Sequence, residues 1–228
     1  MINYSLNSLN VKEKWQSLAN NQFDNCQILH QGTELELDPA NLNLGKNHNV
    51  VFAGRIMERK GIGTLINAIK LIKNKVPNIK LHVLGDGVYL EKLKDIVNND
   101  NELNGLIEFY GHVSNVRSFF KSADVCIFPS WEKEGLMSTA IEAMYYNGLV
   151  ITTKGNGNKD FIIDNKNGFL IETKSEKVIA DKIIELYYLQ YENQNIIKDI
   201  KVNAKETIIN NFTWKKFVNS LFEFIEIT

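Results

Sequence analysis

Arg55 and Lys60 stand five residues apart in the stretch Gly54-Arg55-Ile56-Met57-Glu58-Arg59-Lys60-Gly61, which follows an apolar run and leads into an amphipathic segment. Two cations so placed, after a strand and before a helix, suit an anion, because the free amides and dipole of a helix N-terminus favour negative charge in the same place. Arg55, Arg59 and Arg117 are the only arginines among 26 basic residues. A loop holding two of them stands apart from the lysine-covered surface, and the planar guanidinium fork matches phosphate oxygens. A second stretch runs from Phe128-Pro129-Ser130 through Trp131-Glu132-Lys133-Glu134-Gly135-Leu136-Met137-Ser138 to Glu142. On one helix Glu134 and Glu142 would lie about 12 Å apart along the axis, too far for a single acid/base dyad. Glu134 is therefore read as a loop residue and Glu142 as helical, with backbone amides at the helix N-terminus between them. That arrangement could hold a phosphate on the amides, with a carboxylate on each side accepting hydroxyl protons. Any one of these features is ordinary in a chain with 27 acidic residues. Together they describe a site for a phosphorylated ligand rich in hydroxyls.

The elements that would position these residues can be read from hydrophobic runs and their punctuation. From residue 49 onward, short β-branched runs at 50–53, 79–84, 107–110, 125–128, 149–152 and 169–171 alternate with segments of helical length. Strands without polar alternation are covered on both faces, and alternation with helices implies a parallel sheet. The fold class is a doubly wound α/β sheet, in which ligands bind outside the carboxyl ends of the strands. Both stretches described above fall in such loops, as do Gly85-Asp86-Gly87, Gly111-His112-Val113 and Gly155-Asn156-Gly157-Asn158. His112 has no carboxylate partner in the sequence and reads as an ordinary loop residue.

Helices are expected over residues 63–75, ended by Pro77, over 115–122 with Ser114 as N-cap, and over 176–191 with Ser175 as N-cap. Two or three packed helices should follow, built on Ile196, Ile197 and Ile200 and then on Trp214, Phe217, Leu221 and Phe224. Residues 1–48 do not share this rhythm. Asn10 with Glu13 resembles a capping box for a helix through Trp15 and Leu18, residues 26–29 could form a short strand, and residues 38–48, with Pro39, read as a linker.

Composition narrows the functions that remain. The net charge of −1, with no basic run, gives no electrostatic footprint for a general nucleic-acid binder. No apolar run reaches the roughly 18 residues of a membrane span. Cys26 and Cys126 are too isolated for a disulfide framework or a metal knuckle, and Cys126 sits inside an apolar run as a small buried hydrophobe. These features point to a cytoplasmic protein, held at most peripherally at a membrane through a partner.

The ordered set of pieces resembles the C-terminal, donor-binding domain of family 4 retaining glycosyltransferases of GT-B architecture. The pieces are Ala53-Gly54-Arg55 with Lys60-Gly61; Leu84-Gly85-Asp86-Gly87; Phe109-Tyr110-Gly111-His112-Val113; Ala123-Asp124-Val125 through Pro129-Ser130; and Glu134-Gly135 to Glu142-Ala143-Met144 with Gly148. Gly157 with Asp160, and Asn167-Gly168-Phe169-Leu170, complete the set. The resemblance implies that Arg55 and Lys60 bind the diphosphate of a UDP-, GDP- or similar nucleotide sugar. It implies that the amides of Leu136, Met137 and Ser138 support phosphate and sugar, and that Glu134 holds the transferred sugar near the reacting centre. Glu142 would bind the ribose, the backbone near Val113 would line the base pocket, and neither metal nor cofactor is implied. The reaction would be transfer of a hexose-type sugar, with retention, to a glycan or lipid-linked acceptor.

Three departures from the family pattern stand out. Met137 replaces a glycine or proline, Asp160 stands where a glutamate is usual, and only residues 1–48 precede the donor domain. Those residues resemble the end of an N-terminal acceptor domain, so a donor domain at 49–228 would need a separate N-terminal-domain chain, or a dimer, to complete its cleft. The alternatives are a non-catalytic nucleotide-sugar binding or decayed module and a nucleotide-sugar epimerase of the same fold.

Overall fold

The computed structural model describes residues 4–6, 12, 26–33, 39–131, 137–155, 157–172 and 174–226. The expected N-terminal helix, with Asn10, Glu13, Trp15 and Leu18, lies outside the described residues apart from a helical Lys12. Two short strands, β1 (Tyr4–Leu6) and β2 (Cys26–Ile28), pair in parallel.

The main body is a six-stranded sheet of β3 (His48–Ala53), β4 (Ile79–Leu84), β5 (Ile107–Gly111), β6 (Val125–Phe128), β7 (Val150–Thr153) and β8 (Phe169–Ile171). Every pairing is parallel, and the order is β5-β4-β3-β6-β7-β8. The chain first builds outward from β3 in one direction and then returns to build outward in the other. The boundary between β3 and β6 is thus the topological switch point, where helices leave in opposite directions and a crevice opens.

β3, β6 and β7 are buried at every residue, which is why their sequences carry no polar alternation. Successive side chains of β3 serve opposite faces: Val50 and Phe52 enter one core, Val51 and Ala53 the other. The first core is closed by α1 (Ile62–Ile72), α2 (Leu90–Asn98) and α5 (Glu176–Glu192). The second is closed by α3 (Val116–Ser122) and α4 (Ser138–Tyr145). Helix α6 (Gln194–Asn211) serves both, with Ile197 and Ile200 in the first core and Ala204 and Ile208 in the second. It is followed by α7 (Trp214–Glu226).

The strands at 79–84, 125–128 and 169–171 fall where the hydrophobic runs put them, and the remaining differences are local. β3 begins at His48 because its amide is taken by the Asn78 carbonyl, so the strand starts inside the segment read as linker. That linker is docked rather than loose, since Leu42 N–H donates to Ser122 Oγ and Lys121 Nζ to the Pro39 carbonyl. Asn115, not Ser114, occupies the N-cap of α3, without a side-chain cap bond, whereas Ser175 caps α5 through the Val178 amide. α2 occupies the segment of helical length between β4 and β5, to which the sequence reading gave no bounds, and its Leu90, Leu93 and Val97 pack on the first core at helical spacing.

The glycines after β4 are fixed by close approach of two backbones. Gly85 has φ of +131° and Gly87 of +157°, and a Cβ at these positions would lie 1.9 Å from the Gly54 carbonyl oxygen and 2.3 Å from that of Ile56. Gly85→Ala is expected to destabilise the fold by about 3 kcal/mol or more, as a steric collision added to a strained φ. Gly155→Ala, with nothing within 4 Å of the new methyl, should change stability little. Urea denaturation of the two variants beside the parent checks this.

Candidate functional site

The β3 loop, the β4 loop and the end of β5 are joined by backbone hydrogen bonds beyond the strands themselves. Gly54 N–H donates to the Leu84 carbonyl at 3.0 Å, Ile56 N–H to Asp86 at 2.8 Å, and Gly85 N–H to Gly111 at 2.7 Å. This extension carries the sheet edge into the loops and sets Gly54, Gly85 and Gly111 side by side. Past Ile56 the loop makes a short 3-10 turn at Glu58–Lys60 and enters α1 through Gly61 in the left-handed conformation. Trp131 N–H donates to the Arg59 carbonyl at 2.8 Å, which ties the β3 loop to the β6 loop across the switch point.

A cavity of about 360 Å³ opens at this edge. Arg55 and Asp86 come to it from the β3 and β4 loops, His112, Val113 and Val116 from the β5 side, and Thr139 and Glu142 from α4. The structure therefore gathers Arg55, Val113 and Glu142, three residues singled out from sequence at positions spanning 87 residues, into one wall-to-wall site. A guanidinium on one side, a half-buried carboxylate on the helix opposite and the first-turn amides of α4 give it separate places for negative charge and for hydroxyl groups.

Lys60, Met137 and Ser138 are not on that wall. Lys60 lies at the end of the 3-10 turn, and Ser138 is exposed at the start of α4. Met137 is buried at the N-cap of α4 and turns its thioether to Thr152, 3.7 Å from Oγ1. Its side chain fills core space, so the bulk that departs from the family pattern is directed away from the cavity. Glu134 and Leu136 lie outside the described residues.

Sequence reasoning missed Thr139 and Val116 as wall residues, and it missed the support under the β6 loop. Thr152 Oγ1 donates to the Phe128 carbonyl and Thr153 Oγ1 to the Ser130 carbonyl, while Asn158 Nδ2 donates to Thr152 Oγ1 and the Thr153 carbonyl. All three side chains are buried, so the carbonyls of the loop leaving β6 are held by buried hydroxyls, although Asn158 Oδ1 and Ser130 Oγ there have no hydrogen-bond partner. Two threonines ending an apolar strand were the available signal. Asp160, noted in place of a glutamate, has a nearly buried carboxylate 3.9 Å from His30 Nδ1.

A polar chain runs behind the β5 side of the cavity. Asn49 Nδ2 donates to the Asn47 carbonyl, which turns Asn49 Oδ1 toward His82 Nε2 at 2.9 Å. That contact puts the ring proton on Nε2, and Nδ1 lies 2.9 Å from the Tyr110 hydroxyl, which also hydrogen-bonds with the Glu108 carboxylate. Burial holds the His82 pKa below its ordinary value. Burial, with the Glu108 carboxylate second, pushes the Tyr110 hydroxyl up to about 12. His48 is likewise held down by burial, against the opposing pull of Asp124.

The class of protein is an open parallel α/β sheet with a cavity at its switch point. Residues 35–206 match the family model described as Glycosyl transferases group 1, and the chain belongs to that family. An uncharacterized glycosyltransferase of Methanocaldococcus jannaschii is 35% identical over 170 residues, 73% of this chain and 42% of that protein. CapM, a capsular polysaccharide biosynthesis glycosyltransferase of Staphylococcus aureus, is 32% identical over 173 residues, 75% of this chain and 43% of that protein. The crystal structure of Anabaena HepE in complex with UDP superposes with a TM-score of 0.86 at 18% identity, covering 98% of this chain and 63% of that one. That likeness establishes the GT-B-like form of the domain. The chain spans less than half the length of the two curated relatives.

Because His82 and His48 are both held neutral by burial, the unfolded chain takes up protons before the folded one does as pH falls. Stability from these residues is full above about pH 6.5 and is lost as pH drops through the lowered folded values. Urea titrations from pH 7.5 to 5.5 should show stability falling toward acid by at most about 1.4 kcal/mol per pH unit for each histidine. His82→Gln should flatten that slope.

Proposed function

We propose that this chain is the donor-binding part of a retaining glycosyltransferase that takes a hexose-type sugar from a nucleoside diphosphate sugar. The observation that carries this reading is the convergence of Arg55, Val113 and Glu142 on one cavity at the switch point of a group 1 glycosyltransferase domain. Arg55 and, one turn further along the same loop, Lys60 take the diphosphate. The α4 amides near Met137 and Ser138, with that of Leu136, add hydrogen bonds to phosphate and sugar. Glu142 accepts hydrogen bonds from the ribose hydroxyls, and the base lies against the backbone at Val113. Glu134 holds hydroxyls of the sugar to be transferred.

This arrangement is suited to the chemistry. As the bond from the anomeric carbon to the diphosphate oxygen breaks, negative charge grows on the leaving group, and cations and amides fixed in advance lower that barrier without a metal ion. Transfer also requires an acceptor held in line with water kept out. We assign that role to an acceptor-binding N-terminal domain, in the same polypeptide or a separate chain, acting on a glycan or lipid-linked acceptor. UDP is the first nucleotide to try, since HepE is known as a UDP complex.

Calorimetric titration with UDP, GDP, ADP and their sugar conjugates checks the reading. One nucleotide should bind preferentially, and Arg55→Ala and Glu142→Ala should each weaken it at least about tenfold, the loss of one charge-assisted contact. Equal binding by the parent and both variants would remove the cavity from the account.

A further inference from the structure

Two further hollows, of about 210 and 410 Å³, share Glu58, Tyr89 and Trp131 in their linings, and none of these three residues lines the cavity described above. The smaller reaches Thr64 and Asn67 on α1, and the larger is rimmed by Arg59 and by Val88, which is 93% exposed. The smaller hollow thus brings together two aromatic rings, a carboxylate, an amide and a hydroxyl, and the rings and carboxylate also line the larger one. Lysine ammonium groups steady both rings, Lys92 at 5.2 Å from the Tyr89 centroid and Lys174 at 5.3 Å from that of Trp131.

We propose that this is an auxiliary saccharide-binding platform, which takes part of a glycan acceptor whose reacting end is held by the N-terminal domain. A sugar ring offers a patch of C–H bonds to an aromatic face and a rim of hydroxyls that both donate and accept. Glu58 can accept from such hydroxyls, Asn67 and Thr64 can do both, and Tyr89 and Trp131 supply the apolar faces. Few polar groups at an aromatic wall is the make-up of a small-molecule site, and the larger hollow falls in the roughly 300–1,000 Å³ range of such sites. A lipid chain would want a drier, less charged lining.

Position argues for acceptor rather than donor. Glu58 and Arg59 belong to the loop that carries Arg55 and Lys60, and Trp131 immediately precedes the stretch containing Glu134. A sugar stacked here would lie at the Arg59 end of that loop, next in sequence to Lys60, which the reading above gives to the diphosphate. The saccharide assignment stands on the hollow itself, and its role as acceptor rests on the glycosyltransferase reading given above.

Saturation-transfer NMR of the chain with maltotriose, cellotriose and chitotriose, each with and without UDP, and with UDP-glucose alone, tests the platform. At least one trisaccharide should take up saturation at its ring protons, and the apparent affinity should fall about tenfold or more in Tyr89→Ala and in Glu58→Gln. Gly155→Ala, outside the cavity and both hollows, should leave that signal intact. Circular dichroism melts of the variants confirm that they remain folded. Saccharide binding without any nucleotide binding would uphold the platform and overturn the function proposed above. Silence from all three sugars, or signals unchanged in both platform variants, would overturn the platform. A signal only from the sugar of UDP-glucose, lost in Tyr89→Ala, would place the donor there and overturn the acceptor role.

Discussion

Contact between the two glycine-bearing loops at the carboxyl edge is the constraint on which the rest of the site depends. Gly54, Gly85 and Gly87 allow the β3 and β4 backbones to run against each other beyond the last ladder residue, and the bonds Gly54 to Leu84 and Ile56 to Asp86 fasten them there. A side chain at Gly85 would push the loops apart and move Arg55 away from Val113 and Glu142. The cavity therefore exists because three backbones, those of β3, β4 and β5, are drawn into one plane where a sheet would ordinarily fray into separate turns.

The other half of the site is held from below. α4 begins where the chain leaves β6, and its start is anchored by a core residue, Met137, and by the carbonyls at 128 and 130 that accept from Thr152 and Thr153. The two threonine hydroxyls resist displacement of the loop, because moving it would strand a buried donor away from water. Glu142, one turn into α4, inherits that placement. The two cores on either face of the sheet, stitched together by α6, keep the β3 and β6 sides of the switch point in register.

Much of this could be read from the residues. Runs such as Val125-Cys126-Ile127-Phe128 have no amphipathic alternative at that length and so declare themselves as strands covered on both faces. The Arg55 and Glu142 loops were legible because a doubly wound sheet puts strand-end loops together wherever they fall in sequence. What stayed hidden depends on contacts rather than patterns. Lys60, Ser138 and Met137 sit near the site in sequence while standing off the cavity wall in space. Thr139 and Val116 reach the wall only through the angle at which their helices leave the sheet. The Tyr89 and Trp131 hollow combines residues 42 positions apart, a juxtaposition with no one-dimensional signature.

The central claim is that the switch-point cavity holds the nucleoside diphosphate. Hydrogen exchange of backbone amides, followed with and without saturating UDP, reports on each loop separately. The account requires slowed exchange at residues 54–61, 111–116 and 138–142 together, with β8 and α5 unchanged. Protection confined to other segments, or to one of these three loops alone, would contradict it.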